Sequence, residues 1–316
     1  MINAISLTGP TASGKTALSL LVSEALSCEI ISCDSMQIYR GMDIGTAKAT
    51  DLERRAVPHH LIDFLSPTEA YSAERYRADA ITAARDIAGR GKIPFFVGGT
   101  GLYLDTVSRG QDHEAPAADP EIRARLTREA EELGGGALYE RLFAVDPEAA
   151  RLTHPNNLRR VIRALEIYEG TGITKTELDR RAREADGEIS LAKITLDFKD
   201  RELLYARVDA RVDIMMRDGL LAEVEGLLSR GELISDTTAA QAIGYKEIIA
   251  HLNGEISLSE AVDLIKLSSR RYAKRQLTWF RRDGGYRLYV DDGQGSMRSP
   301  EELAREAVAY YAAERQ

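Results

Sequence analysis

Apolar and polar positions alternate along this chain in two rhythms. Ile2-Asn3-Ala4-Ile5-Ser6-Leu7 reads as a short buried strand, and Ala17 to Leu26 as the helix after it. Glu29 to Cys33 is a second strand. Asp51 to Ala56 predicts one helical turn, and His60-Leu61-Ile62-Asp63 a short apolar stretch. Ser72 caps a long helix running to about Gly89, with Tyr76, Ala80, Ile81, Ala84 and Ile87 at helical spacing. Ile93 to Val97 is a third strand, apolar on both faces as parallel strands are. It ends in Gly98-Gly99-Thr100-Gly101, and another helix follows. This order predicts an α/β fold: a parallel sheet flanked by helices, with its site at the C-terminal strand ends.

From about Gln111 the rhythm changes. Pro116 and Pro120 mark a break, and strong helix formers follow at Glu121 to Leu133, Ala137 to Phe143 and Pro147 to Leu152. Gly134-Gly135-Gly136 reads as a flexible joint. Asn156 begins a further helix through Leu158, Val161, Ile162 and Leu165, closed by Gly170 and Gly172. No strand is evident before Ile189, which predicts a mainly α-helical insertion lobe. Lys193 to Phe198 reads as a strand returning to the sheet. Two helices span about Arg201 to Leu228, a long basic amphipathic helix Leu258 to Phe280, a last strand Arg287 to Val290, and a terminal helix Pro300 to Ala312. The expected organisation is residues 1–112 as the first part of the core, 113–190 as the insertion lobe, and 191–316 as the rest of the core.

Composition narrows the class. The 316 residues suffice for a large core, and no apolar run is long enough for a bilayer. With no basic segment or cleavage site before the first strand, a cytoplasmic protein is expected. The two cysteines, Cys28 and Cys33, read as reduced core thiols. Net charge is −8, yet Arg151 to Arg183 carries a local +4 and Lys266 to Arg287 a local +7. Such polarisation weakens the argument from net charge against a nucleic-acid partner. Solvated helix faces are the alternative reading of both basic stretches, less apt for the second, where aromatics are interleaved.

One loop carries a specific signal. Gly9-Pro10-Thr11-Ala12-Ser13-Gly14-Lys15-Thr16 fits G-x-x-x-x-G-K-[ST] at every fixed position and lies between a strand and a helix. Its backbone N–H groups are expected to point at an anion, helped by the helix N-terminus. Lys15 adds a full charge, and the Thr16 hydroxyl can hold Mg²⁺. The pattern does not say which phosphate it holds.

Other residues are open to two readings. Asp34, at the end of the second strand, would accept a proton or bind magnesium through water, or simply cap a turn. Thr100 would donate to a phosphate oxygen, or serve as an N-cap. Arg207 and Arg211 share a helical face and could converge on a diphosphate, or pair with Asp209, Asp213 or Glu202. His59 and His60 point to opposite sides of an extended segment, which favours packing over metal ligation. Tyr272 and Trp279 among Arg270, Arg271, Lys274, Arg275, Arg281 and Arg282 suit RNA, or a helix with one core face and one wet face.

Taken together, GPTASGKT from Gly9, DSMQIYRGMDIGTAK from Asp34, VPHHLID from Val57, VGGTGLYL from Val97, HPNNLRRVIRALEIYEGTG from His154, QAIGYKE from Gln241 and AKRQLTWFRR from Ala273 closely resemble the bacterial tRNA dimethylallyltransferases. The resemblance covers most of the chain outside about Gln111 to Thr153 and the last thirty or so residues. It implies a P-loop NTPase-like core. It also implies transfer of the dimethylallyl group of dimethylallyl diphosphate to N6 of the adenosine just 3′ of the tRNA anticodon, with Mg²⁺ required. Asp34 matches the general base, and Arg211 the catalytic arginine. Thr100, Lys15 and the loop backbone would stabilise the leaving diphosphate, with Arg207 as a neighbouring basic group. Ser35, Met36 and Gln37 would flank a flipped adenine. Asn156, Asn157, Leu158, Arg159 and Arg160, with Gln241, Gly244 and Lys246, match tRNA-contacting regions. Lys274, Arg275 and Trp279 on the basic helix, and Arg123 on the insertion, are further expected RNA contacts. Cys33 stands where the family usually has a small residue, and its side chain should face away from Asp34. Without the C-terminal zinc-finger extension of eukaryotic relatives, no metal beyond Mg²⁺ is implied. The partners implied are the anticodon stem-loop and the prenyl diphosphate, on a monomer and with no membrane.

The rivals are a transferase acting on free adenine nucleotides, a P-loop small-molecule kinase, and an RNA-binding module with a vestigial loop. The first would not need the basic helix. The second needs a lid arginine and an acceptor site that are not identifiable here. The third is free to lose Lys15, Thr16 and Asp34, all of which are intact.

Overall fold

The computed structural model describes residues 1–108, 119–185, 187–235, 237–282 and 284–315. Two compact units emerge, Met1–Val107 with Ile189–Gln316, and Ser108–Glu188. The compositional break at Gln111 to Pro116 lies outside the described residues.

The first unit opens with β1 (Ile2–Thr8), α1 (Lys15–Leu26), β2 (Cys28–Ser32), α2 (Asp51–Ala56), β3 (His59–His60), α3 (Ala73–Gly89), β4 (Ile93–Gly98) and α4 (Gly101–Val107). The second unit contains α5 (Pro120–Leu133), α6 (Gly135–Val145), α7 (Pro147–Arg151), α8 (Leu158–Thr171) and α9 (Lys175–Glu184). The chain returns to the first unit with β5 (Ile189–Asp197), α10 (Arg201–Arg217), α11 (Leu220–Ser229), α12 (Tyr245–Leu252), α13 (Leu258–Phe280), β6 (Tyr286–Tyr289) and α14 (Pro300–Ala313).

Among the described residues six strands form one parallel sheet, in the order β3-β2-β4-β1-β5-β6. Leu7 of β1 sits opposite Val97 of β4 and Ile194 of β5. Period-2 alternation sends successive side chains to opposite faces. Ile5, Leu7 and Phe95 face α1, α10, α13 and α14, whereas Ala4, Ile31 and Phe96 face α3 and α4. Fully burying each phenylalanine contributes about 2–3 kcal/mol. A further apolar cluster joins Ile38, Tyr39 and Met42 of the loop after β2 to Val212, Leu220, Val224 and Tyr245. The second unit has its own core, built on Leu126, Leu138, Leu142, Val161 and Leu165.

Several expectations need correction. Gly135 and Gly136 form the first turn of α6, leaving Gly134, at φ 83°, as the joint. Asn157 rather than Asn156 caps α8, its side chain accepting from the Arg160 N–H. β5 starts at Ile189, earlier than the strand expected from Lys193, because its polar Ser190 and Lys193 still pair with Asn3 and Ser6 of β1. Helices α9 and α12 were not anticipated. α9 is strongly polar and held by Arg180 and Arg181 on Glu177, and α12 is too short for a clear period.

Candidate active site

The phosphate loop leaves the C-terminal end of β1, between its neighbours β4 and β5; from β1 the chain goes past β4 to β2, and β5 on the other side is reached only after β4. Gly14 has φ 92°, and Ala12 holds a left-handed φ of 63°, a conformation that costs an L residue roughly 1–2 kcal/mol. The strain turns the Ala12 carbonyl to accept from Arg207 Nε at 2.9 Å. Helix α1 has no side-chain cap and no acidic residue in its first turn, whereas α3, α5 and α13 are capped by Ser72, Asp119 and Ser257. Its first N–H groups are therefore available to an anion.

Lys15 folds back over the loop, its Nζ donating to the carbonyls of Gly9 at 2.9 Å and Pro10 at 2.8 Å. Desolvation, then the Arg211 charge, pull its ammonium down to about 7, with Asp34 opposing. Arg211 is driven the same way by burial and by Arg207, again opposed by Asp34. The Arg211 Nε and the Ser13 hydroxyl are buried without a hydrogen-bond partner. Two of the partners that the sequence offered to these arginines are taken elsewhere, since Asp209 holds Arg270 at 2.5 Å and Asp213 holds Lys266 at 2.6 Å. Arg207 is thereby left to the loop, and Arg211 to the cleft beside it.

Asp34 follows β2 on the same edge. One carboxylate oxygen accepts from the Met36 N–H at 2.9 Å and the Gln37 N–H at 3.4 Å, so the turn-capping reading is realised. The electrostatic reach of its charge to Lys15, Arg211 and Tyr272 places it beside the cradle as well. Thr100 is no simple cap. Its hydroxyl accepts from the Ser35 N–H at 3.1 Å and donates to Ser35 Oγ at 3.3 Å, tying the loop after β4 to the Asp34 turn. The two loops meet because residue 98 is glycine; a Cβ there would lie 2.2 Å from the Cys33 carbonyl oxygen. Cys33 points into the α3 layer, its sulfur 2.8 Å from Tyr76 Oη. Burial holds Cys28 and Cys33 up at about 12, as neutral thiols.

The loop from Gln37 to Lys48 is tightly held. Gln37 donates from Nε2 to the Thr46 and Ala47 carbonyls at 3.2 and 3.3 Å. Lys48 is buried between Asp43 and Asp63 at 2.6 and 2.7 Å. Glu223 accepts from the Asp43, Ile44 and Gly45 N–H groups and from the Tyr245 hydroxyl. A cleft of about 420 Å³ opens beside Arg211, with Ile44, Ala47, Ile214 and Met215 in its lining.

Gln276 and Glu223 were missed by sequence reasoning. Gln276 Oε1 accepts the Thr11 N–H at 2.8 Å, and its Nε2 donates to the Gly99 carbonyl at 2.9 Å. One loop N–H expected to face an anion is therefore used inside the protein. A glutamine among the basic residues of AKRQLTWFRR gave no sign of this.

The remaining candidates lie on various elements. Lys274 and Arg275 are exposed on α13, and Trp279 packs on Gly101 while staying 36 % exposed. Gly244 is the buried start of α12, Lys246 is exposed beside Glu247, and Gln241 donates to the Ser235 carbonyl. In the second unit, Arg159 and Arg160 are exposed at the start of α8, as are Asn156 and Asn157, with Leu158 partly buried. Arg123 holds the buried Glu166 at 2.8 Å. His59 and His60 hydrogen-bond the Val57 carbonyl and Glu29. Among the described residues no three His, Cys, Asp or Glu side chains gather as a metal site, and no helix is long and apolar enough to cross a membrane.

A phosphate loop at the carboxyl edge of a parallel, helix-covered sheet defines a P-loop NTPase-like α/β protein. Residues 37–283 match the family described as IPP transferase, and the chain belongs to that family. It is 47 % identical over 293 residues to the tRNA dimethylallyltransferase of Carboxydothermus hydrogenoformans, covering 93 % of each chain. Among solved structures it is similar to the tRNA delta(2)-isopentenylpyrophosphate transferase of Staphylococcus epidermidis, with TM-score 0.72, 37 % identity and full coverage of both chains. A eukaryotic dimethylallyltransferase acting on tRNA aligns with TM-score 0.78 and 30 % identity over 92 % of this chain and 75 % of its own.

Proposed function

We propose that this chain transfers the dimethylallyl group of dimethylallyl diphosphate to N6 of the adenosine 3′ of a tRNA anticodon. The observation that carries this is one sheet edge on which the charge of a carboxylate, Asp34, acts on Lys15 and Arg211, while Arg207 holds the phosphate loop, and among the described residues no carboxylate hydrogen-bonds any of these three cations. A kinase and a prenyltransferase would share the loop. The names of the relatives, and the exposed Lys274, Arg275 and Trp279 on α13, favour an RNA acceptor.

In this reading the N6 lone pair forms a bond to C1 of the prenyl group as the C1–O bond to diphosphate breaks. Asp34 takes the proton from N6. Lys15, Arg211, the Thr100 hydroxyl and the free loop N–H groups stabilise charge growing on the departing diphosphate. Arg207 holds the loop through Ala12 and adds its charge. The cleft beside Arg211 mixes apolar Ile44, Ala47, Ile214 and Met215 with charged Asp43, Asp51, Arg54 and Asp218, and its apolar part would seat a short isoprenoid. The Thr16 hydroxyl, at the start of α1 and without a dense acidic cluster nearby, fits Mg²⁺, which binds with few protein oxygens and substrate phosphates. Such an ion would neutralise diphosphate charge. Ser35, Met36 and Gln37 border the acceptor side, and Arg123, Asn156 to Arg160, Gln241, Gly244 and Lys246 are proposed tRNA contacts.

The test is transfer of label from dimethylallyl diphosphate, with Mg²⁺, to tRNA lacking the modification. Wild-type protein should label tRNA, and Asp34→Ala should lose about 10²–10⁴-fold in rate. Labelled AMP with unlabelled tRNA would make it a nucleotide prenyltransferase, and no transfer at all would sink the reading.

A further inference from the structure

Helix α13 buries Ala261, Ile265, Ala273, Gln276, Leu277 and Phe280, and Gln276 is the one polar side chain in that set. It is 6 % exposed. A primary amide put there without partners would be strongly unfavourable, so its two hydrogen bonds decide whether the position is tolerated. Both bonds go to backbone at the site. Oε1 takes the Thr11 N–H of the phosphate loop, and Nε2 reaches the Gly99 carbonyl beside Thr100. The seat is shaped for this side chain, since a Cβ on Gly99 would lie 2.2 Å from Gln276 Nε2. One amide thus fastens the loop after β1 to the loop after β4. Thr100 then fastens the loop after β4 to the Asp34 turn after β2. The leaving-group cradle and the proton acceptor are joined through this chain of contacts.

We propose that Gln276 is a positioning residue for group transfer: it fixes the phosphate loop against the Thr100 turn, so that diphosphate and acceptor amine are held at reacting distance. This rests on the transferase reading above. In this reading Gln276 acts through Thr11 and Gly99. Its loss should move the chemical step and the grip on diphosphate while leaving RNA docking alone. Displacements of about 1 Å at such a site typically lower rates by 10²-fold, and loss of an outer partner by 10- to 100-fold.

Gln276→Met keeps length and volume and removes both bonds. In the full-length protein it should lower kcat about 30-fold, keep the KM for tRNA within about threefold, and weaken binding of inorganic diphosphate about tenfold, with the melting temperature little changed. The Thr11 amide gives a readout independent of turnover. It should exchange slowly in the wild-type protein and much faster in Gln276→Met. Wild-type turnover in Gln276→Met would overturn the proposal. So would a Thr11 amide that exchanges freely in the wild-type protein, or a variant whose lost activity follows a lowered melting temperature and a raised KM for tRNA. If wild-type protein transfers nothing to tRNA, the transferase reading fails, while Thr11 exchange and diphosphate binding still decide whether Gln276 fixes the loop.

Discussion

The helical unit and the phosphate site use the same residue types to opposite ends. In the helical unit several cations are matched to carboxylates. Arg125 and Arg141 share Glu129 and Glu169, Arg123 and Arg163 meet on buried Glu166, and Arg180 and Arg181 hold Glu177. At the phosphate site Lys15, Arg207 and Arg211 hydrogen-bond backbone carbonyls or, at Arg211 Nε, nothing. Desolvated like charges without partners are unfavourable. Charge that is paired serves the fold, and charge kept unpaired awaits an anion. Sequence alone cannot separate the two, because Asp209 and Asp213 lie within reach of Arg207 and Arg211 on the same helix. What separates them is α13, whose Arg270 and Lys266 remove those aspartates.

The largest expected effect comes from deleting an unpaired charge. Lys15→Met should lower dimethylallyl transfer by about 10²–10³-fold without lowering the melting temperature; a large loss of stability would mean that Lys15 belongs with the structural cations. The opposite change belongs in the helical unit. Glu166 is 2 % exposed and also accepts the Asp119 N–H. Glu166→Ala should destabilise the protein by about 2–4 kcal/mol in denaturant unfolding, and a change under about 0.5 kcal/mol would break the contrast.

A smaller effect is protonic. The folded pKa of Lys15, about 7, lies below its ordinary 10.5. Below pH 7 the lysine is charged in both folded and unfolded chains, and the strain is fully present. Between about pH 7 and 10.5 the fold gives up a proton that the unfolded chain keeps, so this group's contribution to stability rises with pH. A bound diphosphate restores the ammonium. Diphosphate binding at pH 8 should then take up protons, seen as a binding enthalpy that varies with the buffer. Equal uptake by Lys15→Met would rule Lys15 out as the source.

Much of the sheet and the loop was legible from sequence because each rests on local signals. Alternating or continuous apolar runs mark β1, β2 and β4, and the fixed Gly-Lys-Thr spacing marks the cradle. The Leu258–Phe280 helix was placed correctly because its Ser257 cap and apolar period agree. The parts that stayed hidden depend on tertiary contacts. Glu223 reads as one more acidic residue on a short helix until three loop N–H groups and Tyr245 converge on it. Gln276 reads as a polar residue in a basic stretch until its helix packs against the sheet. The three-glycine stretch after Leu133 shows the same limit: low helix propensity argued for a joint, and packing of α6 onto the unit's core overrode it at two of the three positions.

The most direct test concerns Arg211, whose Nε is buried without a partner and whose charge feels that of Asp34. Melting curves of wild type and Arg211→Met, each with and without inorganic diphosphate and Mg²⁺, separate the two uses of charge. The expected result is that Arg211→Met melts at or above wild type on its own, and that diphosphate raises the wild-type melting temperature while leaving the variant's almost unmoved. A variant that melts well below wild type, or that gains as much from diphosphate, would contradict the view that this arginine is kept unpaired for the anion.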